Sequence, residues 1–584
     1  MAEAGAAKLH AIMVQFLFQG HITPFSHLAL ALASKGCTVT YVQTEFQHYQ
    51  MKSTAPSAHH HQLSNEEAVD LFFPGARESG LDIRYTTISD GFPLDFDRDL
   101  NFPEFYESIL RDFPARVDEL VGKIVESDRS LTPFLVADAT YLWPPAVANK
   151  YNMVHVAFWT STALHLSLGY HFELFKEKGQ LLSSGQDMDH VDVPGVRRSN
   201  VEDFIKYDTT GEDPQMPLPV YENIMKARRE IKKADFILCN TVEELELEAV
   251  LGLKQSLPTY AIGPTNFSAN FTKVTSVSSL QSETDCTKWL NSKPVGSVLY
   301  ISFGSLAQAD KQLVWEIACG LLIARVNFVW VLPIELLNSS DETNALPPGF
   351  MANTKDKGLI IPWCNQRAVL SSTAIGGFLT HCGWNSLLES IWYGVPVICH
   401  PFFTDQPFNR NMVVDDWKVG INLCEKEPIS KERVAETINS LMTGTASGNL
   451  IKQNMKKMSK IVHDAVAKDG SSTRNLDQFF KDLKSKICTG SEDTSIVLFK
   501  CRWVYTVRGM EVQTEVAFQE DETIPTPQVI TDNYNYELHD RNCIQSVVEP
   551  NKQGAGTSRA TNGESDNEDN FDEDYETEDD NNYD

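Results

Sequence analysis

Between Trp363 and Gln406 the sequence WCNQRAVLSSTAIGGFLTHCGWNSLLESIWYGVPVICHPFFTDQ leaves few ways to fold. Ile375 to Thr380 is a short apolar run with β-branched and aromatic side chains, which predicts a buried strand. His381 to Asn385 reads as a polar turn. Ser386 to Tyr393 reads as a helix, apolar at Leu387, Leu388, Ile391 and Trp392. Gly394 ends it, and Val395 to Cys399 is the next strand. The stretch is therefore a β-α-β unit with a tight polar turn at the carboxyl end of its first strand.

Open parallel sheets bind ligands at that edge. The helix behind the turn directs unpaired N–H groups and a partial positive charge outward, which suits phosphate. Gly383 lets the backbone approach a ligand, and His381, Asn385 and Ser386 add donors. Glu389, one turn inside the helix, is an acceptor suited to ribose hydroxyls. Trp363, after the strand Leu359 to Pro362, offers a flat face for a base, and Asp405 and Gln406 offer an acid and an amide for further hydroxyls. The whole stretch resembles the C-terminal signature box of plant-type family 1 UDP-dependent glycosyltransferases, from its first Trp to its last Gln without insertion or deletion. The resemblance implies that Trp363 stacks on uracil and that Cys364 and Gln366 meet the uracil and ribose edges. It implies that Glu389 takes the ribose hydroxyls, and that His381, Gly383, Asn385 and Ser386 hold the diphosphate. Trp384, Asp405 and Gln406 would then touch the sugar. Asn365 stands where the family usually has Pro, which is expected to loosen the loop after Trp363.

The rest of the chain alternates strand and helix. Ala11 to Phe18, Thr38 to Gln43, Asp82 to Ile88, Phe134 to Ala137, Val154 to Phe158 and Phe236 to Cys239 read as strands. Helices are expected over Pro24 to Ser34, Pro103 to Val125 and Pro145 to Lys150, and one starts after Asn240 or Thr241 as cap, with Glu244 near its third position. Pro258 to Pro264 breaks the pattern and reads as a linker. A second half follows with strands at Ser297 to Phe303 and Asn327 to Leu332. Its helices are expected at Lys311 to Leu322, Lys431 to Met442 and Leu450 to Val466. This order predicts α/β architecture with parallel sheets. The resemblance covers roughly Lys8 to Lys486 and implies two facing Rossmann-like domains, the GT-B glycosyltransferase fold. The division is 1–257 for an acceptor-binding domain, 258–264 for the linker and 265–488 for a UDP-sugar-binding domain, whose last helices return to the first. Residues 489–584 form an extension outside the pattern and are expected to be disordered. Ile496 to Val516 alternates like strand, and the acidic, Asn-rich stretch from Thr557 is expected to be disordered.

Transfer of a sugar requires a base for the acceptor hydroxyl, a charge sink for the departing diphosphate, and alignment. His21, in QGHITP after the first strand, sits where the family places its general base. Asp138, closing the strand that ends Val136-Ala137-Asp138, matches the carboxylate that would orient it, with Asp90 a rival. Thr160 matches a position that reaches the sugar. Ser305, after Gly304, adds a hydroxyl on the facing side. The helix end at Gly383 to Ser386, with His381, is expected to carry the diphosphate charge without metal. Asp95-Phe96-Asp97 reads as solvated charge, and His59-His60-His61 as a loop. The resemblance implies that Gln406, as the Gln ending the box, goes with glucose, and displacement without an enzyme nucleophile implies inversion. Acceptor-binding walls are expected from the variable segments Phe46 to Leu81, Phe92 to Phe105 and Gly169 to Met216.

A net charge of −29 makes nucleic acid and anionic membrane poor partners. Much of it lies in Glu564 to Asp584, which has no Lys or Arg. Eleven cysteines without a CxxC pair fit free thiols in a reducing compartment. No basic leader and no long apolar run is present, so a cytoplasmic protein without a membrane anchor is expected, with no cofactor beyond the UDP-sugar co-substrate. No G-x-G-x-x-G follows either half's first strand, which argues against a dinucleotide oxidoreductase. The alternative to an enzyme is a catalytically silent UDP-sugar-binding protein with an acidic interaction tail.

Overall fold

The computed structural model describes residues 8–54, 64–98, 100–171, 193–208, 218–267, 279–305, 309–333, 345–424, 429–491, 499–507, 510–518 and 538–544. The His59 triplet, most of the acidic tail and much of the expected acceptor segment 169–216 lie outside them. The chain divides into two units, Met1–Ile487 and Cys488–Asp584.

The first unit is built on two sheets. Strands β1 (Lys8–Val14), β2 (Thr38–Thr44), β3 (Ile83–Ile88), β4 (Leu131–Asp138), β5 (Val154–Trp159), β6 (Phe236–Cys239) and β7 (Thr259–Ala261) pair in parallel in the order β3-β2-β1-β4-β5-β6-β7. β2 is buried at every position and β1 at its last five, as expected of strands covered on both faces. The order reverses at β1, between β2 and β4, which opens a crevice at the strands' carboxyl ends. The expected linker therefore needs correcting: its residues 259–261 are the edge strand of this sheet, because the alternation Tyr260 outward and Ala261 inward still fits a strand.

The second sheet holds β8 (Val298–Ser302), β9 (Asn327–Val331), β10 (Gly358–Ile361), β11 (Ile375–Thr380), β12 (Val397–Cys399) and β13 (Gly420–Asn422) in the order β10-β9-β8-β11-β12-β13, again parallel where paired. Its reversal lies at β8, beside β11. The helix after β11, Trp384–Tyr393, starts two residues earlier than its apolar spacing suggested, because Gly383 takes the N-cap in extended conformation. Gly394 closes the helix at φ 69°.

Helix Ser471–Ser491 returns from the second half to the first. Phe479, Phe480 and Leu483 are buried in the first sheet's core beside Phe236 and Leu238. Burial of each side chain contributes on the order of 2 kcal/mol. Tyr260 donates to Asp482 at 2.6 Å and Asn475 to the Ala261 carbonyl at 2.9 Å, so the edge strand is tied twice, and Ser472 donates to the carbonyl of Gly263 just beyond it at 2.6 Å.

In the second unit, β14 (Phe499–Val507), β15 (Met510–Phe518) and β16 (Leu538–Ile544) form an antiparallel sheet ordered β15-β14-β16. The expectation of disorder throughout 489–584 is corrected for these residues. The alternation read over 496–516 marks the hairpin. β16, rich in charged and amide side chains, carried no such signal.

Candidate active site

The turn Gln15–Phe18 lifts the chain from β1 into the helix Gln19–Ser34, so His21 lies in that helix's first turn, not in a loop before it. His21 Nδ1 is 2.7 Å from Asp138 Oδ2 and 3.1 Å from the Thr160 hydroxyl. Asp138, at the tip of the adjacent β4, is 2% exposed and its other oxygen accepts from the Thr140 amide and hydroxyl at 2.9 and 2.6 Å. A carboxylate so held fixes the tautomer with the proton on Nδ1 and leaves Nε2 as the basic atom. Phe16, 5.2 Å away, packs on the imidazole. The rival Asp90 is instead locked to Arg98 Nε at 2.8 Å, both side chains buried, under the Phe46 ring. Asp95 and Asp97 are exposed.

Across a cavity of about 860 Å³ lies the edge of the second sheet. The Trp384–Tyr393 helix has no side-chain cap and no acid in its first turn, so its leading N–H groups remain for an anion. Its approach requires strained backbone. Cys382 sits at φ 67° and Thr404 at φ 56°, a conformation non-glycine residues rarely adopt. A side chain on Gly383 would meet His381 Nε2 at 2.3 Å, and one on Gly304 would meet the same ring at 2.8 Å, so the imidazole fills the space two glycines leave. Burial lowers the His381 pKa to about 4, against the opposing pull of Asp405 and the Ser302 carbonyl. The ring is therefore neutral near pH 7. His381 thus adds no charge to the expected sink, which leaves the helix end as the source of positive potential at this edge.

Glu389, 5% exposed, accepts from Gln366 Nε2 at 2.8 Å and from Asn266 Nδ2 at 3.1 Å. Burial raises its pKa, against those two amides and Arg367. Trp363 is half-buried, its indole N–H on the Ser279 hydroxyl at 3.1 Å and its carbonyl on the Thr284 amide at 2.9 Å. Asp405 is held by Ser161, by Thr404 and by Asn409 at 3.0 Å. The Gln406 carbonyl oxygen accepts from the Phe402 and Phe403 amides, which turns its NH₂ toward the cavity.

Thus Ser305, Trp363, Cys364, Gln366, His381, Gly383, Trp384, Asn385, Ser386, Glu389, Asp405, Gln406, His21 and Thr160 all line one cavity, with Asp138 directly behind His21. Four expectations change in detail. The Trp384 indole is 4% exposed and donates to the Asn240 carbonyl at 2.8 Å, so only its backbone remains for a sugar. The Cys364 thiol is buried 3.6 Å from the Tyr300 hydroxyl. The Thr160 hydroxyl meets the His21 ring rather than open cavity. Asn365 does not loosen its loop: it caps helix Gln366–Leu370 by accepting from Ala368 N at 3.0 Å and donates to Glu283 at 3.2 Å, replacing proline's rigidity with two bonds. Likewise Asn240 and Thr241 start no helix. The next one begins at Leu247, and Thr241 donates to Glu246, whose carboxylate accepts from Ala163 and Leu164 at the head of helix Ala163–Tyr170.

Sequence reasoning missed Asn240, Ser161, Asn266, Glu283 and the pair Arg367–His27, with Arg367 Nη1 3.3 Å from His27 Nε2. All act across long sequence separations. Arg367 alone stood inside the signature stretch, where a cation after Gln366 could have been noted.

Residues 257–469 match the family described as UDP-glucoronosyl and UDP-glucosyl transferase. UDP-glycosyltransferase 86A1 of Arabidopsis thaliana is 43% identical, over 84% of this chain and 97% of its own. The 7-deoxyloganetin glucosyltransferase of Gardenia jasminoides is 34% identical, over 82% and 98%. The fold matches the crystal structure of Medicago truncatula UGT71G1 complexed with UDP-glucose at a TM-score of 0.64 and 22% identity, covering 82% of this chain and 98% of that one.

Proposed function

Because the chain belongs to the plant UDP-glycosyltransferase family, we propose that it moves glucose from UDP-glucose to a hydroxyl of a small lipophilic acceptor, with inversion. The supporting observation is the placement of His21, oriented by Asp138 at 2.7 Å, in one cavity with Trp363, Glu389 and the uncapped Trp384 helix. Uracil lies on Trp363, ribose hydroxyls on Glu389 and Gln366, and the diphosphate against the N–H groups of residues 384–386. The acceptor O–H attacks the anomeric carbon while the bond from that carbon to the phosphate oxygen breaks. The proton passes to His21 Nε2, UDP leaves with the electron pair, and Asp138 stabilises the imidazolium. The helix dipole and the neutral His381 meet the charge of the leaving group, so no metal is required.

Gln406 and Asp405 are assigned to the sugar hydroxyls, which favours glucose. The 7-deoxyloganetin glucosyltransferase, by its name, also uses glucose. Phe16, Phe18, Leu71 and Ile224 give the acceptor side apolar walls. A cytoplasmic location fits the nine free thiols from Cys37 to Cys488. No helix among the described residues is long and apolar enough to cross a membrane.

The test is UDP release from UDP-glucose with a panel of phenolic and terpenoid alcohols, with and without EDTA, and product configuration by NMR. A β-glucoside formed at an EDTA-insensitive rate is expected, and His21→Ala should lower kcat by about a thousandfold while leaving UDP binding intact. A silent binder would show a nucleotide-dependent rise in Tm with no transfer to any acceptor. That result would overturn the reading.

A further inference from the structure

The donor-side helix and the base-side helix meet through three amide-type hydrogen bonds in series. The Thr265 N–H donates to Asn240 Oδ1 at 3.0 Å. Asn240 Nδ2 donates to Asn385 Oδ1 at 3.3 Å. Asn385 Nδ2 donates to the carbonyl of Gly20, the residue before His21, at 2.5 Å. The direction of the series is fixed at both ends. A backbone N–H can only donate and a backbone carbonyl can only accept, so both side-chain amides have one permitted orientation. Each bond polarises the next in the same sense.

The chain end at Gly20 is free for a reason written in the sequence. Pro24 lies inside the helix Gln19–Ser34 and has no N–H. The carbonyl four residues earlier, that of Gly20, is therefore left without its helical partner, and Asn385 supplies the donor. Asn240 is 1% exposed and has further anchors. Its N–H donates to the Trp159 carbonyl at 2.8 Å and its carbonyl accepts from the Trp384 indole at 2.8 Å. Gly263 allows this approach, since a Cβ there would lie 2.8 Å from Asn240 Oδ1 and 2.6 Å from its carbonyl carbon. One buried residue is thus bonded through its backbone to the first sheet and to the Trp384 indole, and through its side chain to Thr265 and, by way of Asn385, to the peptide that carries the base.

We propose that Asn240 is a positioning residue, and that with the carbonyl freed by Pro24 it keeps the His21 turn in register with the helix that receives the diphosphate. The proposal rests on the transferase reading above for its rate consequence, but not for its structural one. Asn385 is committed through its side chain to Gly20, so the diphosphate meets its backbone N–H. Because the base and the leaving group are held by one directed chain of bonds, weakening the chain loosens alignment without removing any group that touches the donor.

Two substitutions test this, neither at a residue lining the cavity. Asn240→Asp is isosteric and still accepts from Thr265, but it sets a carboxylate oxygen against Asn385 Oδ1 and turns that amide away from Gly20. Pro24→Ala returns a helical N–H to the Gly20 carbonyl and competes with Asn385. In both, kcat is expected to fall by about tenfold or more, with KM for UDP-glucose within about threefold of the parent. A purely structural role predicts the reverse for Pro24→Ala: a more stable helix and an unchanged kcat. Hydrogen exchange gives a readout independent of turnover. Without nucleotide, amides of residues 19–22 should exchange faster in N240D than in the parent, while residues 387–390 keep their protection. Equal exchange at 19–22, or a kcat within twofold of the parent in both variants, overturns the proposal. Failure of the parent to bind UDP or transfer glucose would overturn the functional reading instead, and the ligand-free exchange comparison would still decide the relay.

Discussion

The two edges that face each other across the cavity are built on opposite plans. On the donor edge, most of the groups proposed to meet the nucleotide lie within 44 residues of sequence, Trp363 to Gln406, on one β-α-β unit and its flanking turns, with Ser305 facing them from the turn after β8. Their geometry is largely local: a helix end, Gly383 beside His381, and a carboxylate one turn along. On the acceptor edge, Phe16, Leu71, Thr140, Trp159 and Ile224 are drawn from five separate segments. Under the proposed function, the part of the substrate common to every turnover is met by a compact unit, and the acceptor by side chains scattered over two loops (Phe16, Thr140), a strand (Trp159) and two helices (Leu71, Ile224).

The largest effect that separates the edges is expected at Asp138. Asp138→Asn would let His21 take the wrong tautomer and lower kcat on the order of a thousandfold, with the calorimetric Kd for UDP unchanged. If UDP binding fell in parallel, the two edges would not be independent. Next, Glu389→Ala removes the ribose acceptor and strands the Gln366 and Asn266 amides. Loss of hydrogen bonds to a charged group should weaken UDP by about 30-fold, at nearly constant kcat for saturating donor. An unchanged Kd would remove Glu389 from the nucleotide site.

Acid should weaken both edges together. Burial lowers His27 and His155 in the first half, and His381 and His400 in the second, to about 4 from the ordinary 6.5. The unfolded chain binds these protons near pH 6.5, and the folded chain does not until about pH 4. Stability from this source is whole above 6.5 and is lost as pH falls toward 4, at up to about 1.4 kcal/mol per pH unit for each ring. Glu246 and Glu389, raised by burial, act in the opposite sense and blunt the slope at its acid end. Urea midpoints between pH 7 and 4.5 would show the fall, and a flat profile would contradict neutral burial of these rings. The smallest effect is on the acceptor edge. Leu71→Ala should change acceptor KM by about three- to tenfold, in a direction that depends on acceptor bulk, without moving KM for UDP-glucose.

The same contrast explains what could be read from the sequence. The β-α-β unit and the parallel sheets were legible because strand ends and helix starts carry local patterns, while His21 and Asp138 were singled out by the family resemblance and lie 2.7 Å apart in the structure. Asn240 was misread as a helix cap because an Asx residue after a strand looks alike whether it bonds its own chain or a partner 145 residues away. Asn365 was misread because proline's absence was visible, while the compensating partner Glu283 was not near in sequence. Asn266, Ser161 and His27 had no local mark, since each gains its role only when the two sheets face each other.

The return helix sets the mechanics of that facing pair. The chain leaves the first half beyond β7 and comes back through Ser471–Ser491, which is tied to β7 itself. A door hung on a single pin can swing and also twist, but one hung on two can only swing. With both crossings at the β7 border of the first sheet, rotation about that border is the relative motion the chain opposes least, and it would change the width of the cavity between His21 and Trp363 without sliding one edge along the other.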